Sequence, residues 1–167
     1  VSNANNGTSV LYHNESGSSF SDATTAAQVI DNSGGEGVAW ADYDHDGDLD
    51  FFRASVGGDS HLFQNNGSGV FSDEAQSAGV ASTGTAYGVA WGDCDGDGDL
   101  DLHIAKYGRN LMYRNNGNGA FTDVANAVGM SNSENGEAIS WADYDNDGDL
   151  GLYISLRAGS ANVLYQN

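Results

Sequence analysis

The stretch DYDHDGDLD at residues 42–50 returns as DCDGDGDLD at 93–101 and as DYDNDGDLG at 143–151, the three copies standing 51 and 50 residues apart. Each follows D-x-D-x-D-G-D-x-D, so alternate carboxylates can turn toward a common centre while the glycine at position six permits a sharp backbone turn. Carboxylates at positions 1, 3, 5 and 9, with a backbone carbonyl at 7, suit a hard cation that takes six to eight oxygens, which points to calcium. Two carboxylates about 4 Å apart repel by roughly 1 kcal/mol in water and about 4 kcal/mol at an effective dielectric near 20. Packing so many acids into one short loop makes sense when a cation neutralises them. One copy alone would read equally well as a solvated acidic turn, but three in register with their flanks favour the ion.

The candidate ligands are Asp42, Asp44, Asp46 and Asp50 with the Asp48 carbonyl, and Asp93, Asp95, Asp97 and Asp101 with the Asp99 carbonyl. In the third copy they are Asp143, Asp145 and Asp147 with the Asp149 carbonyl. There Gly151 stands where the other copies have Asp50 and Asp101, which removes one side-chain ligand and one negative charge. Two strong Ca²⁺ sites and a weaker third are therefore expected, with Gly151→Asp tightening the last.

The flanks distinguish this loop from an EF-hand, which needs a glutamate at position 12 and a helix on either side. Position 12 here is Arg53, Ile104 and Ile154. After the loops, Leu100, Leu102 and Ile104 alternate with Asp101, His103 and Ala105, and Leu150, Leu152, Ile154 and Leu156 repeat the pattern. That period of two reads as a half-buried strand. GVAWAD at 37–42, GVAWGD at 88–93 and AISWAD at 138–143 are strand-like too, so each loop is expected to join a β-hairpin.

The repeat extends further. HLFQNNGSGVFSDEAQSAGV at 61–80 matches NLMYRNNGNGAFTDVANAVGM at 110–130, a weaker copy lies at 9–29, and NVLYQN at 162–167 repeats the start once more. One unit is thus four short strands: one before the loop, one after it, an LxY/F strand and an FxD strand. Repeats of about 50 residues with four strands each are the signature of propeller blades. In VAWADYDHDGDLD and LMYRNNGNGAFTDV the chain resembles the FG-GAP and VCBS repeats of integrin-α-type and bacterial cell-surface propellers. The Gly-Ala-Pro element that names the first group is Arg53-Ala54-Ser55 here, and the chain contains no proline, so the resemblance is closer to the VCBS type. It implies an all-β fold of antiparallel four-stranded propeller-blade repeats, calcium in the loops and an extracellular or cell-surface location.

Composition agrees with that class. Five basic residues against 24 acidic ones give a net charge of −19, which three divalent ions would bring to −13. So acidic a surface disfavours nucleic acid and anionic membranes, and no apolar run reaches the length of a membrane-spanning helix. The single cysteine, Cys94, at loop position 2, reads as an outward-pointing spacer rather than a nucleophile. His13, His45, His61 and His103 do not recur in register, whereas Trp40, Trp91 and Trp141 do and read as inner-strand packing residues. Glycan-acceptor triplets occur at Asn6, Asn14 and Asn66. With no nucleophile elbow, phosphate loop or metalloprotease motif, the chain reads as non-enzymatic.

Residues 1–167 read as one repeat domain of about three units, 9–58, 59–108 and 109–161, with a partial strand at 162–167. The strand order is out of phase, leaving β material at residues 10–12 and 163–165 without partner strands, and exposed strand edges invite pairing with another chain. The leading expectation is a calcium-stabilised extracellular structural module that self-associates through its terminal strands, as a fibre or surface-layer subunit. A second is an adhesin or lectin-like module presenting the variable loops 55–60, 106–110 and 157–161 to a glycan or protein. A third is an accessory domain of an enzyme.

Overall fold

The computed structural model describes residues 9–31, 33–130, 134–157 and 159–167. Its strands are β1 (Tyr12–Glu15), β2 (Ser19–Asp22), β3 (Gly34–Ala41), β4 (Asp50–Val56), β5 (Gly58–Asp59), β6 (His61–Asn65), β7 (Phe71–Asp73) and β8 (Thr83–Gly84). There follow β9 (Ala86–Gly92), β10 (Asp101–Lys106), β11 (Leu111–Asn115), β12 (Phe121–Asp123), β13 (Gly136–Ala142), β14 (Gly151–Leu156) and β15 (Val163–Tyr165). All pairings among them are antiparallel. β1–β2 is a hairpin, β3-β4-β6-β7 form sheet I, β9-β10-β11-β12 sheet II, and β13-β14-β15 sheet III, while β5 and β8 make a short ribbon.

The fold is therefore all-β and built from a repeated strand order, as the alternation required. Sheets I and II contain the full set of four strands; sheet III stops at the third, and the hairpin consists of the last two types. The sheets draw their strands from residues 34–73, 86–123 and 136–165, so they are offset from the units counted along the sequence. Each acidic loop does join a hairpin, closed at its neck by Ala41↔Asp50, Gly92↔Asp101 and Ala142↔Gly151. The aspartate of each FxD strand ends that strand: Asp22, Asp73 and Asp123 accept the backbone N–H two residues on, at 2.9, 3.1 and 3.1 Å. An aspartate doing this closes a local turn in place of the ladder.

The sheets pack face to face in chain order. Phe52 and Leu62 from sheet I, with Val80 from the turn after it, meet Leu102, Ile104 and Phe121 of sheet II in the largest core. Met112, Ala125 and Met130 meet Leu152, Ile154 and Leu156 in the second, and Ala27 and Val29 after the hairpin cover Phe51, Phe63 and Phe71 in the third. This corrects the half-buried reading of the strand after the loop. In β10 residues 101–105 are buried without alternation, because the strand is sandwiched between two neighbours. Only β14, with one face open, alternates: Leu152 and Ile154 are buried and Tyr153 is exposed.

Two further readings change for the same reason. Trp91 and Trp141 pack against the preceding sheet, but Trp40 is 46% exposed because the hairpin covers only the outer part of sheet I. Loop position 2 does not point outward in the first two loops, although Tyr144 in the third is exposed. Tyr43 is 3% exposed within the first core, and Cys94 packs against the second, where burial pushes its thiol up and keeps it protonated.

The first strands β3, β9 and β13 lie side by side. A Cβ added to Gly37 would sit 2.5 Å from the Tyr87 carbonyl oxygen, and one added to Gly88 would sit 2.7 Å from that of Glu137. Backbone meets backbone at these points, which only glycine permits. No helix among the described residues is long and apolar enough to cross a membrane.

Candidate metal loops

The three loops share one backbone path. Position 4 lies in the left-handed region in all of them, at φ 60° for His45, 74° for Gly96 and 60° for Asn146; position 6 does so at 92°, 96° and 99° for Gly47, Gly98 and Gly148. Glycine reaches that region freely, and asparagine and histidine are enriched there among other residues. Two hydrogen bonds recur with it. The position-6 N–H donates to the position-1 carboxylate, from Gly47 to Asp42 at 3.2 Å, Gly98 to Asp93 at 3.0 Å and Gly148 to Asp143 at 3.3 Å. The position-7 N–H donates to the position-5 carboxylate, from Asp48 to Asp46, Asp99 to Asp97 and Asp149 to Asp147, at 2.9, 2.9 and 3.0 Å.

This path gathers carboxylate oxygens. One each from Asp42, Asp44 and Asp50 lie within 4.8 Å of one another, as do those of Asp93, Asp95 and Asp101, and of Asp143, Asp145 and Asp147. Asp46 and Asp97 stand outside the first two groups. The Asp48 and Asp99 side chains lie instead against Gly67 and Gly117, where an added Cβ would come within 2.7 and 2.8 Å of them. Carboxylates turned that way leave the backbone carbonyl as the group these residues would offer an ion. Asp149 borders a cavity between sheets II and III.

Position nine is the most constrained. Asp50 and Asp101 are fully buried and accept the Asn65 and Asn115 N–H groups at 2.7 and 2.8 Å. Asp101 also accepts the Cys94 N–H at 2.9 Å. Burial pushes the Asp50 carboxyl up to about 6 and raises that of Asp101 as well. The second oxygen of Asp50 and one oxygen of Asp42 are buried with no hydrogen-bond partner. Buried carboxylate oxygens left unpaired are costly, and a cation held between them removes that cost, so loop one fits a calcium ion; loop two offers the same grouping of carboxylates around a fully buried Asp101. The third is poorer, its three grouped carboxylates being exposed. At Gly151 the Tyr144 ring fills the space of the missing side chain: a Cβ there would meet its Cε1 at 2.7 Å.

Some participating residues escaped the sequence reading. The residue after each LxY/F element reaches position 3 of its own loop: Gln64 donates to Asp44, Gln166 to Asp145 at 3.1 Å, and Arg114 stands 3.6 Å from Asp95. The asparagine after that ties each sheet to the one before, Asn115 donating to the Tyr43 carbonyl at 2.8 Å and Asn167 to that of Cys94. The recurrence of FQN, YRN and YQN was the available signal. The histidines share no role: His45 lies 3.6 Å from Asp99 of the next loop, His61 bridges Asp31 and Asp73, His13 meets Glu15, and His103 is buried near Trp141. Asn14 and Asn66 are exposed, and Asn6 lies outside the described residues.

Fold and loops together define a module of stacked antiparallel sheets, each opened by an acidic hairpin loop shaped for a hard cation. The chain belongs to the FG-GAP-like repeat family, whose model matches residues 1–53, 46–104 and 93–154. Such repeats are β-rich structural or binding modules, typical of extracellular or surface proteins and not typically enzymes. No curated protein matches the chain.

Proposed function

We propose that this chain is a non-enzymatic, calcium-stabilised structural module of the extracellular space or cell surface, which self-associates as a fibre or surface-layer subunit. Its sheets act as propeller blades, two of them complete. The observation that carries the reading is the pair of matched carboxylate groups, Asp42, Asp44 and Asp50 with Asp93, Asp95 and Asp101, each built around a fully buried position-nine aspartate. An ion there would neutralise the necks of two hairpins and so hold the first strands, on which the sheets stack, in register. Self-association is supported by the exposed apolar side chains Phe20, Val38 and Trp40, the last two beside an open cavity on sheet I. Light scattering in calcium and in excess chelator tests both parts: the reading requires assembly in calcium and its loss on chelation, and a folded species unaffected by chelation overturns it.

A binding module is the alternative, supported by a cavity of about 410 Å³ beside the exposed Trp40. A glycan or protein ligand seated there would protect Trp40 from quenching in a chain that stays monomeric.

A further inference from the structure

Loops one and two are joined by a single buried amide. The Asn115 side chain, 2% exposed, donates from Nδ2 to the Tyr43 carbonyl of loop one at 2.8 Å and to the Leu100 carbonyl of loop two at 3.3 Å. Both carbonyls stand between candidate ligands: Tyr43 separates Asp42 from Asp44, and Leu100 separates the Asp99 carbonyl from Asp101. The backbone N–H of the same asparagine donates to Asp101 at 2.8 Å, and its Oδ1 accepts the Gly117 N–H at 3.1 Å. The amide cannot turn without breaking a bond to one loop or the other.

A second contact links the same two loops at the surface. His45, at position four of loop one, lies 3.6 Å from the Asp99 carboxylate. That carboxylate lies against Gly117, whose N–H is the one held by Asn115. Loop three is joined to loop two less firmly. Position four of loop two is Gly96, which has no side chain to offer Asp149, and position nine of loop three is Gly151, which provides no buried carboxylate.

Resting on the calcium reading above, we propose that loops one and two bind calcium with positive cooperativity, transmitted by Asn115 and reinforced by the His45–Asp99 contact. Loop three fills without regard to loop one. With Asp42 and Asp44 gathered on an ion, the peptide groups on either side of Tyr43 are fixed, and with them the direction of its carbonyl. The Asn115 amide is then held in the orientation that also bonds Leu100 and directs its own N–H at Asp101. Loop two has its last two ligands, the Asp99 carbonyl and Asp101, already placed, so less disorder is lost when it fills. The coupling runs equally in reverse, as linkage requires.

Repulsion between the two bound ions acts in the opposite sense. At physiological salt it is screened beyond about 8 Å. The Asn115 bonds are not screened, because so deeply buried an amide is out of reach of solvent ions. The bonded route therefore dominates, and its advantage persists as salt is raised.

The test follows the amides of Gly47, Gly98 and Gly148 by NMR while the full chain is titrated with calcium at physiological ionic strength. Each of these N–H groups donates to the first carboxylate of its own loop, so each reports one loop. The Gly47 and Gly98 signals should move together with a Hill coefficient above one, and Gly148 should follow at higher calcium. Asp42→Asn with Asp44→Asn disables loop one and should raise the midpoint at Gly98 about fivefold or more, and Asp93→Asn with Asp95→Asn should raise that at Gly47 by the same factor. Both factors should survive raised salt, which shrinks the effect of the deleted charges alone.

Two further variants locate the route. His45→Gly leaves every ligand in place and suits the left-handed backbone there; it should reduce the factor with the melting temperature of the calcium-free chain unchanged. Asn115→Ser can serve one carbonyl but not both and should abolish the factor. A Gly98 midpoint indifferent to the loss of loop one, or a factor that both variants leave intact, overturns the coupling while calcium binding stands. Glycine signals that do not respond to calcium in any loop overturn the calcium reading itself, and the coupling with it.

Discussion

The ring of Tyr43 lies 6.1 Å from the indole of Trp91 with the two planes 10° apart, so an acidic loop of sheet I is stacked directly on the first strand of sheet II. The Trp91 indole N–H also donates to the Ala39 carbonyl at 3.2 Å. A residue inside a candidate calcium loop is thereby part of the core, and loop order and sheet packing become one problem.

Chelation should accordingly lower the melting temperature of the whole module. An ion that binds only the folded state stabilises it by about 2.7 kcal/mol per site at a hundredfold excess over Kd. Differential scanning calorimetry in calcium and in EDTA reads this, and coincident curves would remove calcium from the account.

Calorimetric titration should show two tighter sites and one looser one. Gly151→Asp alone is expected to leave the looser site nearly unchanged, because the new Cβ meets the Tyr144 ring at 2.7 Å. Gly151→Asp combined with Tyr144→Ser clears that space and should tighten it. Equal tightening by the single and double variants would show that the ring is no obstacle.

Trp91→Ala should cost about 3 kcal/mol, the usual penalty for emptying an aromatic site in a core. Trp40→Ala, at the same position of an uncovered face, should cost less than about 1 kcal/mol in the isolated chain. Urea unfolding of dilute samples measures the difference, and equal losses would mean that Trp40 is covered in solution.

Gly88→Ala should destabilise by about 1–3 kcal/mol, since its methyl would meet the Glu137 carbonyl and Ala138 Cα, both backbone, at 2.7 and 3.0 Å. Gly96→Ala places its methyl in open space, and its cost comes only from the left-handed backbone. Thermal melts of the two variants should differ in that order.

The loops, the hairpins that carry them and the four-strand order were legible because spacing and period are local properties of the chain. The second buried face was not. His103 and Ala105 look like the polar side of an alternating strand, and only the arrival of sheet III explains their burial. Cys94 was misjudged for the same reason, its surroundings coming from a sheet some fifty residues away. The part played by Gln64, Arg114 and Gln166 was hidden because each reaches its loop across a sheet rather than along the sequence.

Gly37 and Gly88 have a geometric consequence. Where these glycines lie, neighbouring sheets touch backbone to backbone; away from them, aromatic and aliphatic side chains hold the sheets apart. Each step between sheets is thus a wedge, narrow along β3, β9 and β13, and successive wedges bend the stack around an axis on the glycine side. The third residue of this series is Ala138. One methyl group there widens the thin edge of the next wedge, so a unit seated on sheet III turns through a smaller angle than sheets I, II and III turn from one another.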